Sequence, residues 1–127
     1  MFSSLDMFRM SHAMARHAGL RQAVIAENIA NADTPGYRTR DIASFAESYR
    51  SAGSALRTTR PGHSGGQASG FGAQVRDATK GEDNPNGNSV SLESEMMKGV
   101  QVQQQHDRAL AIYRSGLSIL RASLGRR

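Results

Sequence analysis

The sequence predicts an all-α fold in which two long terminal helices pack as an antiparallel coiled-coil hairpin. Apolar side chains recur every three or four residues at both ends of the chain, and a Pro-Gly pair closes the first of these patterns. The stretch between the patterns is rich in glycine. At 127 residues, we expect a single domain with a helix over 3–32, a turn and irregular Gly-rich loop over 33–90, and a helix over 91–125.

The first helix is predicted from an apolar stripe whose members lie three, four or seven residues apart. The stripe contains Leu5, Phe8, Ala15, Ala18, Ile25, Ile29 and Ala32. A second stripe beside it contains Met7, Met10, Met14 and Val24. Because this helix is apolar on two adjacent faces, it needs more than one neighbour.

The first helix ends in a run of residues that disfavour helix. The side chains of Asn31, Asp33 and Thr34 compete for nearby backbone groups. Pro35 followed by Gly36 suits the two central positions of a type II turn, of which the second needs a positive φ. Tyr37 and Phe45 follow as aromatic anchors.

The middle of the chain has a different composition. Eight of the 13 glycines lie between Gly53 and Gly87, among Ser, Thr, Asn and Pro. Such a segment buries too little apolar surface to offset the entropy lost on ordering. We expect a loop that is flexible alone and partly ordered in an assembly, with short β pieces around Ile42 to Tyr49 and Gln74 to Val75.

The second helix is predicted to begin after Ser91, a good N-cap, with Glu93 and Glu95 favoured by the dipole of its first turn. Its apolar stripe alternates strictly between spacings of three and four, as in a heptad seam. The members are Leu92, Met96, Gly99, Gln103, His106, Leu110, Tyr113, Leu117, Leu120 and Leu124. Its length matches that of the first helix, which favours a hairpin with both chain ends together.

Two segments carry a resemblance to a known family. The run from Asn28 to Tyr37 (Asn-Ile-Ala-Asn-Ala-Asp-Thr-Pro-Gly-Tyr), with Arg38, Arg40 and Phe45 after it, resembles the signature near the N-terminus of bacterial flagellar rod, hook and hook-associated proteins. Residues 87–97, with Gln103 to Gln105, Tyr113 and residues 117–125, resemble the C-terminal half of a small proximal-rod protein. Hook and distal-rod relatives carry large extra domains between the terminal helices, and this chain has only a Gly-rich stretch there.

The resemblance implies a structural subunit of the flagellar rod, the drive shaft that transmits torque from the membrane ring to the hook. It places the family signature in a turn formed by Asn28, Asn31, Thr34, Pro35, Gly36 and Tyr37. The apolar pattern assigns helix seam and subunit packing to Leu5, Phe8, Ile25, Ile29, Leu92, Met96, Leu110, Tyr113, Leu117, Leu120 and Leu124. The implied partners are copies of the chain, other rod proteins, the rod-to-ring adaptor FliE and the flagellar type III export gate. A sister proximal-rod protein is the nearest alternative.

Charge and signal features bear on location and on another class of function. The formal net charge is +5, and the excess arginine lies in the two terminal regions. Such a balance also suits a basic helical protein that binds nucleic acid or an anionic membrane, but single arginines spread along helices favour a solvated face or intersubunit pairing. The sequence has no cysteine and no apolar run near the ~18 residues needed to span a bilayer. Without a Sec-type signal pattern, the resemblance implies export from the cytoplasm to the periplasmic rod without a cleaved signal peptide.

Catalytic motifs are weak. Residues 62–66 match the G-x-S-x-G pattern around Ser64, but that motif needs a strand, a helix and an α/β sheet to mount it. His12 and His17 are five residues apart, so they do not align as zinc ligands on one helix face; we expect them to be exposed or to contact another subunit. The Gly-rich loop lacks the G-K-[ST] ending of a phosphate cradle. We therefore expect no enzyme activity, no cofactor, no metal and no small-molecule substrate.

Overall fold

The computed structural model describes residues 2–53, 74–78 and 84–125. The described chain is mostly helical, in the order α1 (Phe2–Ala30), β1 (Arg40–Ile42), α2 (Phe45–Gly53), β2 (Val75–Asp77) and α3 (Leu92–Leu124). The prediction of two long terminal helices packed together is confirmed. Most of the Gly-rich loop, including Ser64, lies outside the described residues.

The two long helices run in opposite directions. Near the end of α1, Asn28 lies 2.9 Å from Glu95 near the start of α3. Further back along α1, His17 meets Gln105 at 3.2 Å, and Phe8 meets Tyr113 in an edge-to-face ring contact with centroids 5.3 Å apart. Residues nearer the start of α1 thus contact residues nearer the end of α3.

Small side chains bring the helices close. The apolar centre of the pair is formed by Ala18, Ile25 and Val102. On α3 the buried line is Glu95, Val102, Ala109 and Gly116, spaced seven residues apart. A Cβ at Gly116 would lie 2.9 Å from Met7 Cε and 2.9 Å from Phe8 Cζ, so glycine there leaves room for these side chains on the α3 backbone.

The elements β1, α2 and β2, which we call the arm, lie between the long helices in sequence. Strands β1 and β2 pair antiparallel, with Arg40 opposite Asp77, so the predicted β piece at Gln74 to Val75 corresponds to the start of β2. The prediction of an extended piece from Ile42 to Tyr49 is wrong beyond Ile42. Ser44 Oγ accepts the Glu47 N–H at 3.3 Å, and this N-cap starts a helix instead.

The predicted start of α3 is confirmed. Ser91 is extended, with φ −101° and ψ 111°, and its side chain accepts the Ser94 N–H. At the other end, the Gly125 N–H donates to the Arg121 carbonyl at 2.7 Å. None of the helices in the described ranges is both long and apolar enough to cross a membrane.

Candidate functional site

The family signature is organised around one buried amide, that of Asn28. Its side chain has no exposed surface, yet both of its polar atoms are fully used. Nδ2 donates to the Arg40 carbonyl at 2.7 Å and to Glu95 Oε2 at 2.9 Å. Oδ1 accepts the Arg40 N–H at 3.1 Å and the Tyr37 hydroxyl at 3.2 Å. This residue therefore ties α1, the arm and α3 together.

A network of charged side chains begins at the partner of Asn28 and extends across the molecule. Glu95, only 1% exposed, receives a 2.7 Å hydrogen bond from Lys98 through its other oxygen. Lys98 also lies 3.5 Å from Asp41. Arg21 holds Asp41 with two hydrogen bonds, at 3.0 and 3.2 Å. A buried charge is tolerated when it is paired in this way, so the network works as a unit.

The same network sets the titration of Asp41. Burial alone would raise the pKa of its carboxyl. The Arg21 hydrogen bonds, the Ile42 N–H and the Lys98 charge outweigh that effect and hold the pKa below its usual range. Asp41 therefore stays ionised at neutral pH, and it joins β1 to both long helices.

A second buried amide, Asn88, holds the turn that follows α1. Its Nδ2 lies 2.9 Å from the Asn31 carbonyl, 2.8 Å from that of Ala32 and 2.8 Å from that of Thr34. Its Oδ1 accepts the Val90 N–H at 2.7 Å. These carbonyls belong to the turn that follows α1, and the Asn31 and Thr34 carbonyls also accept backbone N–H groups within it. Their side-chain donor comes from a residue more than fifty positions later in the chain.

The predicted Pro35-Gly36 turn is present and packs on the segment before α3. Gly36 has a φ of +73°, and the Tyr37 N–H donates to the Thr34 carbonyl at 3.3 Å. Gly87 also has a positive φ, and a Cβ added there would lie 3.6 Å from Gly36 Cα. Gly36 N–H donates to the Asn86 carbonyl at 3.1 Å, so the two backbones lie side by side.

The expectation that His17 is exposed or intersubunit is wrong. The side chain is fully buried, with Nε2 2.8 Å from the Ala43 carbonyl and Nδ1 3.2 Å from the Gln105 amide. Phe45 packs edge-on against its ring, with centroids 5.7 Å apart. The arm folds over this part of α1 and covers it, which the spacing along α1 could not reveal. His12 is exposed, as expected.

Stability should fall in mild acid because of His17. Burial lowers the pKa of its imidazole, an effect opposed by the Ala43 carbonyl and helped by Arg21. The folded state therefore binds a proton less readily than the unfolded state. The contribution of His17 to the free energy of unfolding is full above pH 6.5 and declines as pH falls below that value. We expect wild type to lose more unfolding free energy between pH 7.5 and 5.5 than His17→Gln, measured by urea titration. His12→Gln is the control, and an identical pH slope in all three proteins would contradict the assignment.

The predicted signature residues come together, whereas the predicted seam is displaced. Asn28 is buried, Asn31 and Tyr37 are half-buried, and Thr34, Pro35 and Gly36 are exposed on the turn. Within the chain, the α3 contact line runs one residue before the predicted stripe. Of the predicted seam residues, Ile25 is buried and Phe8 and Leu117 are half-buried. The others are exposed: Leu5, Ile29, Leu92, Met96, Leu110, Tyr113, Leu120 and Leu124.

Two features of this site escaped the sequence reasoning. Asn88 lies in a run of turn-forming residues, where a second buried amide has no local signal. Glu95 was assigned to a favourable position in the first turn of α3, yet its side chain is buried against Asn28 and Lys98. A carboxylate three residues before a lysine on the face that meets α1 was the available sign.

The arrangement holds the backbone in place. In the described ranges, no three His, Cys, Asp or Glu side chains group closely enough to hold a metal ion. A polar cleft beside the arm is lined by Arg21, Asp41, Glu47, Arg76 and Lys98, but Arg21, Asp41 and Lys98 are already paired with one another. The site is a structural joint between the turn, the arm and α3.

Comparison with known proteins agrees with this architecture. A family model described as flagella basal body rod protein matches residues 13–38, which include Asn28 and the turn. The chain is similar to the flagellar basal body rod protein FlgB of Agrobacterium fabrum, with 31% identity over 117 residues and 87% of both chains covered. It is also similar to FlgB of Cereibacter sphaeroides, with 34% identity over 107 residues and 82% of both chains covered.

Proposed function

The chain belongs to the FlgB family of flagellar basal body rod proteins, and we propose that the exposed faces of its two long helices build it into the rod. It is a structural subunit of the proximal rod, required for motility, and it is not an enzyme. One observation supports this mode of assembly. Large apolar side chains stay exposed along both long helices, although the polar joint beside them is fully satisfied. Such exposed apolar surface marks sites of protein association.

The predicted seam residues therefore acquire a role between subunits. Met96 is 60% exposed and Leu124 82% exposed, so neither gains its packing within the single chain. We propose that these two, with Leu5, Ile29, Leu92, Leu110, Tyr113 and Leu120, are covered by neighbouring rod subunits. The helices then form a coiled-coil hairpin whose remaining apolar surface is completed by assembly.

The partners we propose are copies of this chain, other rod proteins, the adaptor FliE and the flagellar type III export gate. The subunit would leave the cytoplasm without a cleaved signal peptide and would assemble in the periplasm. The sister protein FlgC is not favoured, because both relatives described above are FlgB. Binding to nucleic acid or to an anionic membrane is not favoured either, because several basic groups are engaged within the chain: Arg21 with Asp41, Arg40 with Glu27, and Lys98 with Glu95.

Mass spectrometry of purified flagellar basal bodies tests this function directly. We expect the protein in particles from wild-type cells. In a strain lacking the gene, we expect neither rod nor hook beyond the membrane ring, because the distal structures assemble on the proximal subunit. Complementation with the wild-type gene, and with a Ser64→Ala variant that also tests the G-x-S-x-G motif, should restore swimming. Particles without the protein, together with intact rods in the deletion strain, would refute the proposal.

A further inference from the structure

We infer that the exposed outer faces of α1 and α3 are the two halves of one lateral contact between copies of this chain. In this contact, α3 of one copy packs on α1 of a second copy that stands beside it at the same height. The inference rests on the proposed function and specifies which residues meet.

The half of the contact on α3 is a second heptad line, beside the line that faces α1. We call it the α3 outer stripe. Its members alternate between spacings of four and three, as a coiled-coil seam does. They are Met96, Val100, Gln103, Asp107, Leu110, Arg114, Leu117, Arg121 and Leu124. Met96 and Val100 are both 60% exposed, so large apolar side chains stand free at the turn end of this stripe.

The half of the contact on α1 has the same spacing and the opposite shape. This α1 outer stripe is formed by Leu5, Arg9, His12, Arg16, Gly19, Ala23, Ala26 and Ala30, all of them exposed. At its turn end every side chain is small. A Cβ added at Gly19 would meet nothing within 4 Å, so the packing of this chain does not require glycine there. Glycine destabilises the middle of a helix relative to alanine, and a close neighbour would explain its presence.

The register of the helix pair aligns the two stripes. Since Asn28 meets Glu95 and His17 meets Gln105, Ala23 lies level with Val100. Two copies standing side by side at one height therefore place Met96 and Val100 of one against the small side chains of the other. Large side chains facing small ones are the arrangement that fills an interface without voids.

One level pair of residues across the contact is complementary in charge. Arg16 lies level with Asp107. In the described part of the chain Arg16 forms no ion pair, and the polar contacts of Asp107 there are with Gln103 and His106 of its own helix. Leu5 lies level with Leu117. Arg9 lies level with Arg114, which has the same charge. The acidic residue next to this pair is Asp6, 3.9 Å from Arg9.

The occupant is a second copy because one chain carries both halves. On α1, residues such as Ala18 face α3 and residues such as Arg21 face the arm, and the outer stripe occupies a third face. The same division holds on α3, where Val102 faces α1 and Lys98 faces the arm. The outer stripes hold the same positions relative to the contact line on both helices, since Gly19 and Ala23 follow Ala18 by one and five residues, as Gln103 and Asp107 follow Val102. In an antiparallel pair such matching positions lie on the same side, so both stripes lie on the side away from the arm. The contact joins two different stripes and is therefore heterologous, so each copy accepts one neighbour through each stripe.

Disulfide trapping tests the contact, because the chain has no cysteine of its own. A double variant, Ala23→Cys with Val100→Cys, would be assembled into basal bodies and oxidised. A disulfide needs Cβ atoms about 3.8 Å apart, and neither Ala23 nor Val100 lies on the line where the two helices of one chain meet. We expect dimers and longer ladders of this chain on a non-reducing gel, with a peptide linking positions 23 and 100 found by mass spectrometry.

A second pair and a control keep the outcome clear. Ala26→Cys with Met96→Cys should link in the same way, whereas Ala23→Cys with Ala46→Cys on the arm should not. If the chain is present in the particles but neither outer-stripe pair links, or if the cysteines link to another protein, the inference is overturned and the proposed function stands. If the wild-type chain is absent from the particles, the proposed function fails and the inference fails with it.

Discussion

Replacing Asn28 with leucine should lower the free energy of unfolding by about 3 kcal/mol, because it leaves buried polar groups without partners. The Glu95 carboxylate would lose a donor at 2.9 Å, and the Arg40 backbone would lose both a donor and an acceptor. Leucine has the same number of side-chain heavy atoms as asparagine, so the loss would be mainly polar. Urea titration of the purified chain, followed by circular dichroism, measures the change.

The control lies in the same turn. Asn31→Ala removes two exposed hydrogen bonds, one to the Glu27 carbonyl and one from the Thr34 hydroxyl, and should cost about 1 kcal/mol. The double variant Asn28→Leu with Glu95→Leu should be more stable than the two single losses predict, because replacing both buried partners with apolar groups removes the carboxylate oxygen that the single variant leaves without a donor. A single Asn28→Leu variant as stable as Asn31→Ala would show that Asn28 is not the hub of the network.

Asn88→Asp should be more damaging than Asn88→Ala, although aspartate is the closer match in size. Alanine removes the donor from three carbonyls, which should cost about 2–3 kcal/mol. Aspartate still accepts the Val90 N–H but turns a carboxylate oxygen toward the carbonyls of Asn31, Ala32 and Thr34. Acceptors facing acceptors repel one another and leave the charge unpaired.

Amide hydrogen exchange and swimming in soft agar both report on this order. We expect the amides of Gly36 and Ser89, which donate across the turn, to exchange faster in Asn88→Ala and fastest in Asn88→Asp. Swimming should decline in the same order. Asn84→Ala, on an exposed neighbouring residue, should behave like wild type. An Asn88→Asp variant that swims normally would show that the Asn88 amide is not needed as a donor to the turn after α1.

The features that local chemistry determines were predictable. Pro35 and Gly36 end the first helix because of the backbone angles they require, and Ser91 starts the last helix because its hydroxyl can cap it. These signals depend on a few adjacent residues. The long-range joint does not, since Asn28 and Glu95 are 67 residues apart and neither has a local reason to be buried.

The displaced seam has a physical cause as well. Apolar patterning gives most weight to large side chains, so it selected Met96, Leu110 and their neighbours. The helices instead approach each other through small residues such as Ala109 and Gly116, and the large residues remain outside. If neighbouring subunits cover those large residues, as proposed above, the most apolar stripe need not be the one through which the two helices of a single chain meet.

The contact between Asn88 and the turn after α1 also limits when this part of the chain can fold. The carbonyls it satisfies lie 54–57 residues earlier in the sequence, a contact of high sequence separation that is costly to form early. At roughly 5–20 residues per second of synthesis, the turn precedes its donor by several seconds. If the two ends are kept apart during the export proposed above, the joint between the turn and Asn88 stays unformed, and it does not have to be broken to move the chain.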